Sequence, residues 1–163
     1  SFDPASMVTV RVGADQQTFA AHASFLCTRS DFFRTALSGE RWQEAKSRIV
    51  NLPDDNPKIF EMYLGHVYTR KIDTARTELD DPYAMDAAVY KATMQEEYAD
   101  LFQLYVLGEK LLDNSVKDAA ISAVFKRAEG RYNGCRCSPS TKHLALVYEG
   151  TPAGSPCRRI LID

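Results

Sequence analysis

The chain has 163 residues, of which 45% are hydrophobic and 26% are charged, as in a single folded domain and unlike a disordered chain. The formal net charge is -2, and no region gathers the cations that a nucleic-acid-binding surface requires. No stretch approaches the roughly 18 apolar residues of a membrane-spanning helix, and residues 1–6 lack the features of a signal peptide, so we expect an intracellular protein, in the cytoplasm or the nucleus, that does not bind membranes.

The N-terminal part predicts a β-hairpin followed by two short helices. Residues 7–12 alternate between apolar and polar side chains, which is typical of a strand with one buried face, and residues 17–20 predict the return strand. Residues 23–28 are compatible with a short helix. Ser30 is a suitable N-cap for a second helix, and Gly39 is a suitable residue for its end.

A third strand and the clearest helix of the chain come next. Residues 48–52 form a short apolar, β-branched run that predicts a strand. Asn56 can cap a helix that has Pro57 at its first position, and apolar residues then recur at helical spacing over residues 60–68. His66 lies opposite the main apolar row, so we expect it to be solvated.

The segment 70–97 is rich in Asp and Glu and has weak periodicity. We interpret it as a long, partly ordered acidic insertion, with a short helix opened by Asp81 and Pro82, and we expect it to be the most mobile part of the chain.

The rest of the chain is predicted to be helical. Residues 95–112 have apolar side chains on more than one face, as in a buried helix, and residues 114–130 form the next helix. The cations near the end of that helix, Lys126, Arg127 and Arg131, are expected simply because they complement the helix dipole. Residues 131–138 predict a loop, and Pro139 opens a last helix before a short tail.

Strands that are segregated from helices indicate the α+β fold class. We expect one core, which includes Phe19, Leu26, Phe33, Leu52, Phe60, Leu64, Leu101 and Tyr105.

The cysteines and histidines offer little for chemistry. Cys27, Cys135, Cys137 and Cys157 are too few and too unevenly spaced for a disulfide framework. Three of these thiols with His143 form a conceivable zinc set, but the spacing differs from that of structural zinc sites, so we expect no metal and no cofactor.

Motifs of hydrolases, nucleotide-binding proteins and dinucleotide-binding proteins are absent from the sequence. His22 lies between a strand and a helix among apolar residues, which favours a packed, hydrogen-bonded role. We therefore expect no enzymatic activity, and an unrecognised hydrolase is the remaining catalytic alternative.

The order and spacing of these elements resemble the signature of the BTB/POZ family over residues 7–72. In that family a strand leads into an F-x-x-H segment, a buried Leu, an S-x-x-F segment that opens the second helix, and a helix that ends in Tyr-Thr. The C-terminal region, from Tyr148 to Leu161, is similar to tails of short BTB proteins of filamentous fungi. The residues that carry the signature are Phe19, His22, Leu26, Ser30, Phe33, Phe60 and Tyr68.

This resemblance implies a small mixed sheet of about three strands, capped by a bundle of helices, that acts by binding proteins. We expect a BTB/POZ-like domain over residues 1–130, with the insertion at 70–97, and a helical extension over 131–163 packed on the same domain. Partners in the family include the domain itself, transcriptional corepressors and cullin scaffolds of ubiquitin ligases.

We interpret the chain as an adaptor that links a cullin-type scaffold to other proteins, with Tyr68, His66 and Arg70 as partner-binding residues. The alternative is a self-associating scaffold, such as a transcription-linked oligomerisation domain. Ser6, Met7 and Ala23 stand where many members have the charged residues of a dimer-interface pocket. We therefore expect a monomer or a weak homodimer without strand exchange.

Overall fold

The computed structural model describes residues 7–38, 47–74, 86–132 and 134–160. Within these residues the chain forms five strands and seven helices. They are β1 (Met7–Val12), β2 (Gln17–His22), α1 (Ala23–Arg29), α2 (Asp31–Leu37), β3 (Ile49–Leu52), α3 (Pro57–Thr69), α4 (Ala87–Lys110), α5 (Asn114–Glu129), β4 (Arg131–Tyr132), β5 (Cys135–Arg136), α6 (Thr141–Gly150) and α7 (Pro156–Ile160).

The first three strands form a mixed sheet in the order β2-β1-β3. β1 is antiparallel to β2 and parallel to β3, so that Val10 lies opposite both Phe19 and Val50. Val8, Val10 and Val12 are buried, because side chains two residues apart lie on the same face of a strand. The alternation in the sequence therefore predicted both the strand and its buried face, and the α+β class is confirmed.

Side-chain caps fix the starts of the helices that the sequence predicted. The Ser30 hydroxyl accepts a hydrogen bond from the Phe33 amide at 3.1 Å. The Asn56 side chain accepts one from the Lys58 amide at 2.9 Å, and Asp113 caps α5 in the same way. Each cap satisfies an amide that has no partner inside its own helix. Gly39, the predicted end of α2, lies outside the described residues.

The long helix α4 begins at Ala87 and not at residue 95, so the last part of the predicted acidic insertion is helical. Tyr90, Met94 and Glu97 are buried on its core-facing side. The periodicity is weak there because one of these buried residues carries a carboxyl group. The predicted helix start at residue 95 is therefore wrong, and the predicted helix at Asp81 and Pro82 lies outside the described residues.

The hydrophobic core lies between the sheet and the helices, and α4 packs against α3, α5 and α6. Most of the predicted core residues are buried in it, namely Leu26, Phe33, Leu52, Phe60, Leu101 and Tyr105. Phe19 and Leu64 are only partly buried and pack against its margin. Phe19 is on the edge strand β2 and meets Phe60 edge-to-face, with ring centroids 5.2 Å apart.

The C-terminal region contains more regular structure than the sequence predicts. Residues 131–138 include the two-stranded hairpin of β4 and β5, and the predicted tail includes the short helix α7. Elements of two to five residues are too short to show a hydrophobic period. On α5, the side chain of Phe125 is exposed, whereas the adjacent Val124 is buried.

Helix α6 packs closely against α4 where Gly150 meets Val106. A Cβ atom at Gly150 would lie 2.5 Å from one methyl group of Val106 and 2.7 Å from the other. The absence of a side chain at this position therefore sets the distance between the two helices. Among the described residues, no helix combines the length and the apolarity needed to cross a membrane.

We predict that Gly150→Ala lowers the free energy of unfolding by about 1–3 kcal/mol, because the new methyl group overlaps Val106 and forces the helices apart. Gly65→Ala in α3 is the matched control, since nothing lies within 4 Å of a Cβ atom there. That change should stabilise the chain by up to about 1 kcal/mol through helix propensity. Denaturant unfolding of both variants measures the difference, and equal effects would contradict the close packing.

Candidate functional site

Three aromatic side chains lie together on the surface where β2 ends and α3 ends. We call His22, Phe25 and Tyr68 the aromatic patch. The ring centroids of Phe25 and Tyr68 are 5.1 Å apart, and that of His22 lies 5.4 Å from Phe25 and 5.9 Å from Tyr68. Phe25 is 47% exposed and Tyr68 is 42% exposed. The rings contact one another edge-to-face or tilted, as aromatic pairs prefer, and still present apolar surface to solvent.

Hydrogen bonds hold the Tyr68 ring in place. The backbone amide of His22 donates to the Tyr68 hydroxyl at 2.9 Å, and the same hydroxyl lies 2.8 Å from Nδ1 of the His22 ring. The hydroxyl can accept from the amide and donate to Nδ1, which uses the neutral ring with its proton on Nε2. His22 therefore has the packed, hydrogen-bonded environment that its sequence position predicts, and its main described partner is the signature residue Tyr68.

The end of α3 orients Tyr68 and Arg70 outward. Arg70 caps the helix with a left-handed backbone, at a φ of 64°, and its amide donates to the His66 carbonyl at 2.9 Å. The Thr69 hydroxyl donates to the Gly65 carbonyl at 2.7 Å. The chain reverses at this point, so the side chains of Tyr68 and Arg70 are exposed.

His66 is buried, and the expectation that it is solvated is wrong. Its side chain is 4% exposed because the start of α5 covers this side of α3, and Nε2 lies 3.3 Å from the Ser115 hydroxyl. Nδ1 has no hydrogen-bond partner among the described residues. Burial, reinforced by the Arg29 charge, lowers the pKa of His66. Of the predicted partner-binding residues, the structure brings Tyr68 and Arg70 to the surface and places His66 beneath it.

A buried polar junction joins the start of α2 and the helix α3 to the turn between α4 and α5. The Ser30 hydroxyl, which caps α2, also donates to the Leu111 carbonyl at 2.5 Å. The Tyr63 hydroxyl donates to the Asp113 carboxylate at 3.1 Å. Burial raises the pKa of Tyr63, so this hydroxyl stays protonated and remains a donor. The signature residue Ser30 therefore fixes the position of α2 relative to α4.

The conceivable zinc ligands do not form one cluster. The ring of His143 is held on both sides, since Nδ1 accepts from the Ser140 amide at 2.9 Å and Nε2 lies 3.0 Å from the Gln95 carbonyl. Cys157 is buried, and burial raises its pKa to about 11. Cys135 is exposed. Within the described part of the chain, no group of three or more His, Cys, Asp and Glu side chains is placed to hold a metal ion.

Phe25 is the member of the aromatic patch that the sequence did not single out. It is next to Leu26, and adjacent residues of a helix project in different directions, so a short helix packed on one side buries only one of them. Leu26 is fully buried, so the Phe25 ring faces outward. In the sequence, the only indication of this outward-facing ring was that Phe25 and Leu26 are neighbouring apolar residues at the start of a short helix.

Comparison with protein families agrees with this arrangement of sheet, helices and signature residues. The family model of the BTB/POZ domain matches residues 1–111, about two thirds of the chain. The chain belongs to the BTB/POZ domain family. BTB/POZ domains bind other proteins, so this chain is a protein–protein interaction module. In this BTB/POZ domain, the signature residues Leu26, Ser30, Phe33 and Phe60 are buried, whereas His22 and Tyr68 contribute to the aromatic patch.

The buried His66 makes the stability of the BTB/POZ domain depend on pH. Its pKa is lower in the folded chain than in the unfolded chain, where it is about 6.5, so the unfolded chain binds the proton more readily. The contribution of the neutral, buried His66 to the free energy of unfolding is complete above about pH 6.5. It is lost as the pH falls from there through the pKa of His66 in the folded chain. Burial also lowers the pKa of His143, which adds to the effect.

We predict that the free energy of unfolding decreases below about pH 6.5 and that the decrease is smaller in His66→Gln, which has no titrating ring. Denaturant unfolding between about pH 5 and pH 8 measures both proteins. His143→Gln is the parallel variant that separates the contribution of the second buried ring. A His66→Gln profile identical to that of the wild type would contradict the shift.

Proposed function

We propose that this BTB/POZ domain is a non-enzymatic adaptor that binds a cullin-type scaffold through the aromatic patch and Arg70. The observation that carries the proposal is the joint exposure of Phe25 and Tyr68 on one surface. Tyr and Arg are enriched among the residues that dominate binding at protein interfaces. An aromatic pair beside a cation therefore suits an interface better than it suits a solvated surface.

The aromatic patch is ordered before any partner arrives, which supports this role. The two hydrogen bonds between His22 and the Tyr68 hydroxyl restrict the Tyr68 ring. A side chain that is already ordered loses less conformational entropy on binding. Arg70 takes part in none of the ion pairs found among the described residues, so its guanidinium is available to a carboxylate of the partner.

The family resemblance is the reason for proposing a cullin-type partner. The structure is the reason for choosing the aromatic patch as the binding surface. An adaptor also needs a second surface for the protein it recruits. We propose that residues 1–130 form the BTB/POZ domain and that residues 131–163 are a helical extension packed on it. The packing of α6 against α4 supports this division.

The alternative is a self-associating scaffold that uses the same aromatic patch. Two copies related by a two-fold axis would bring Phe25 of one copy against Tyr68 of the other, which makes the patch self-complementary. The two proposals differ in the partner and not in the surface, so they are separated by measuring binding and self-association independently.

For the adaptor, we expect Phe25→Ala and Tyr68→Ala each to weaken binding to a cullin N-terminal domain by at least about tenfold, since each removes a central aromatic contact. Phe125→Ala is the matched control, because Phe125 is also an exposed aromatic residue on a helix but lies outside the patch. Tyr68→Phe keeps the ring and loses the hydrogen bonds to His22, so it should bind more tightly than Tyr68→Ala. Isothermal titration calorimetry gives the affinities.

Two outcomes would count against the adaptor. If the wild-type chain shows no heat of binding at high micromolar concentration, the cullin partner is wrong. If Phe125→Ala weakens binding as much as Phe25→Ala does, the surface is wrong. Thermal unfolding of each variant tests whether a loss of binding is caused by a loss of the fold.

For self-association, we expect a monomer or a weak dimer that dissociates on dilution, and we expect Phe25→Ala to shift it further toward monomer because the substitution removes apolar surface from the patch. Multi-angle light scattering across a dilution series measures the mass. A dimer that persists at nanomolar concentration and is unaffected by Phe25→Ala would contradict this expectation.

A further inference from the structure

A second surface feature begins where the aromatic patch ends. Residues 70–73 and the outer face of α5 enclose a groove of about 490 Å³, which we call the basic groove. Its charged lining consists of Arg70, Lys71, Lys126 and Arg127, with Asp73 as the single carboxylate. Four cations therefore face one space in a chain whose formal net charge is -2.

The helix dipole explains only part of this charge. Lys126 and Arg127 lie in the last turn of α5, where cations are favourable. Arg70 and Lys71 belong to another part of the chain and approach the same space from the opposite wall. Among the described residues, the ion pairs include Arg127 but not Arg70, Lys71 or Lys126. Three cations thus converge with no ion pair among the described residues and with Asp73 as the one carboxylate in the lining, and an anionic ligand would relieve their repulsion.

The walls of the groove are rigidly connected. Glu97, which is 1% exposed, accepts a hydrogen bond from Arg127 Nε at 3.1 Å and one from the Thr74 hydroxyl at 2.5 Å. Arg127 Nη2 also donates to Thr74 Oγ1 at 3.1 Å. At the other end of this wall, the backbone of Arg70 is held by the hydrogen bond that its amide donates to the His66 carbonyl. The backbone of both walls and the Arg127 side chain are therefore held in place before a ligand binds, which reduces the entropy lost on binding.

The floor of the groove suits a peptide chain. Ala119, Ser122 and Ala123 line it on the α5 side, and these side chains are small enough to let a backbone approach the helix. Ile72 contributes apolar contact from the other wall. Lys and Arg on both sides of such a channel are complementary to the carboxylates of an extended Asp- or Glu-rich segment.

From this geometry we propose that the basic groove binds an acidic segment of a partner protein. Nucleic acid fits less well, because affinity for it depends on neutralising many phosphates. The groove offers few cations, and residues 54–118, which include one of its walls, carry 14 acidic and 7 basic residues. This inference does not rest on the adaptor function, since the basic groove shares only Arg70 with the surface proposed for the cullin-type scaffold and its acidic ligand is recognised by charge.

The test uses the full 163-residue chain and a short fluorescein-labelled oligoglutamate peptide, followed by fluorescence anisotropy. We expect saturable binding at low ionic strength that weakens as salt is added, because salt screens the exposed cations. The corresponding oligoglutamine peptide should not bind. A labelled single-stranded oligonucleotide of similar length is measured in parallel.

Charge reversal locates the site. Lys71→Glu with Lys126→Glu should weaken oligoglutamate binding by at least tenfold while leaving the Arg70 cap and the Arg127 network intact. The matched control, Lys91→Glu with Lys142→Glu, makes the same change in net charge at two exposed lysines outside the groove, and it should bind nearly as the wild type does. Circular dichroism melting shows whether both double variants are folded.

Three results would overturn the proposal. They are the absence of oligoglutamate binding at low salt, an equal loss in the two double variants, and tighter binding of the oligonucleotide that is lost in the groove variant alone. Tyr68→Ala separates this proposal from the adaptor function. It removes an aromatic contact and no charge, so oligoglutamate should still bind to it.

Discussion

The buried carboxylate of Glu97 constrains the helical part of this BTB/POZ domain. A carboxylate that is 1% exposed would be very unfavourable if it lacked partners, and removing one partner of a buried ion pair typically costs about 3–5 kcal/mol. Arg127 and Thr74 supply these partners. Because Glu97 is on α4, Arg127 on α5 and Thr74 in the segment after α3, one charged group fixes three parts of the chain relative to one another.

The contacts of Glu97 also position the two walls of the basic groove on the surface above it. The contact with Arg127 sets the register of α5 against α4, so the small residues of α5 face outward beside Lys126. The contact with Thr74 draws the segment that follows α3 onto the same helix pair. The basic groove is the space that remains between them, and its shape follows from the requirement that a buried charge be paired.

Local signals in the sequence were sufficient for much of the fold. Alternating valines predicted β1 and its buried face, and Ser30 and Asn56 predicted two helix starts, because a cap needs only neighbouring residues. The start of α4 was missed because a buried charged residue breaks a hydrophobic pattern. Arg127, the partner of Glu97, lies 30 positions away in the sequence, and a contact at that separation leaves no local signal.

The same distinction applies to the candidate sites. Tyr68 and Arg70 were predicted at the surface, since both lie where a helix ends. His66 was expected there too, because a single apolar stripe implies one buried face, but α3 is covered on a second side by the start of α5. Phe25 and the basic groove depend on which elements meet in space, and only the tertiary structure determines that.

The reversal of the chain at Arg70 connects the two surfaces. A left-handed backbone at a non-glycine residue costs about 1 kcal/mol or more, and glycine would make the same turn without that cost. Glycine would also leave no cation between the aromatic patch and the basic groove. With arginine there, the turn that leaves Tyr68 outward also starts one wall of the groove, so a strained residue gives both surfaces a shared positive charge. A partner that contacts the Tyr68 ring and carries acidic residues would therefore meet both surfaces as one continuous interface.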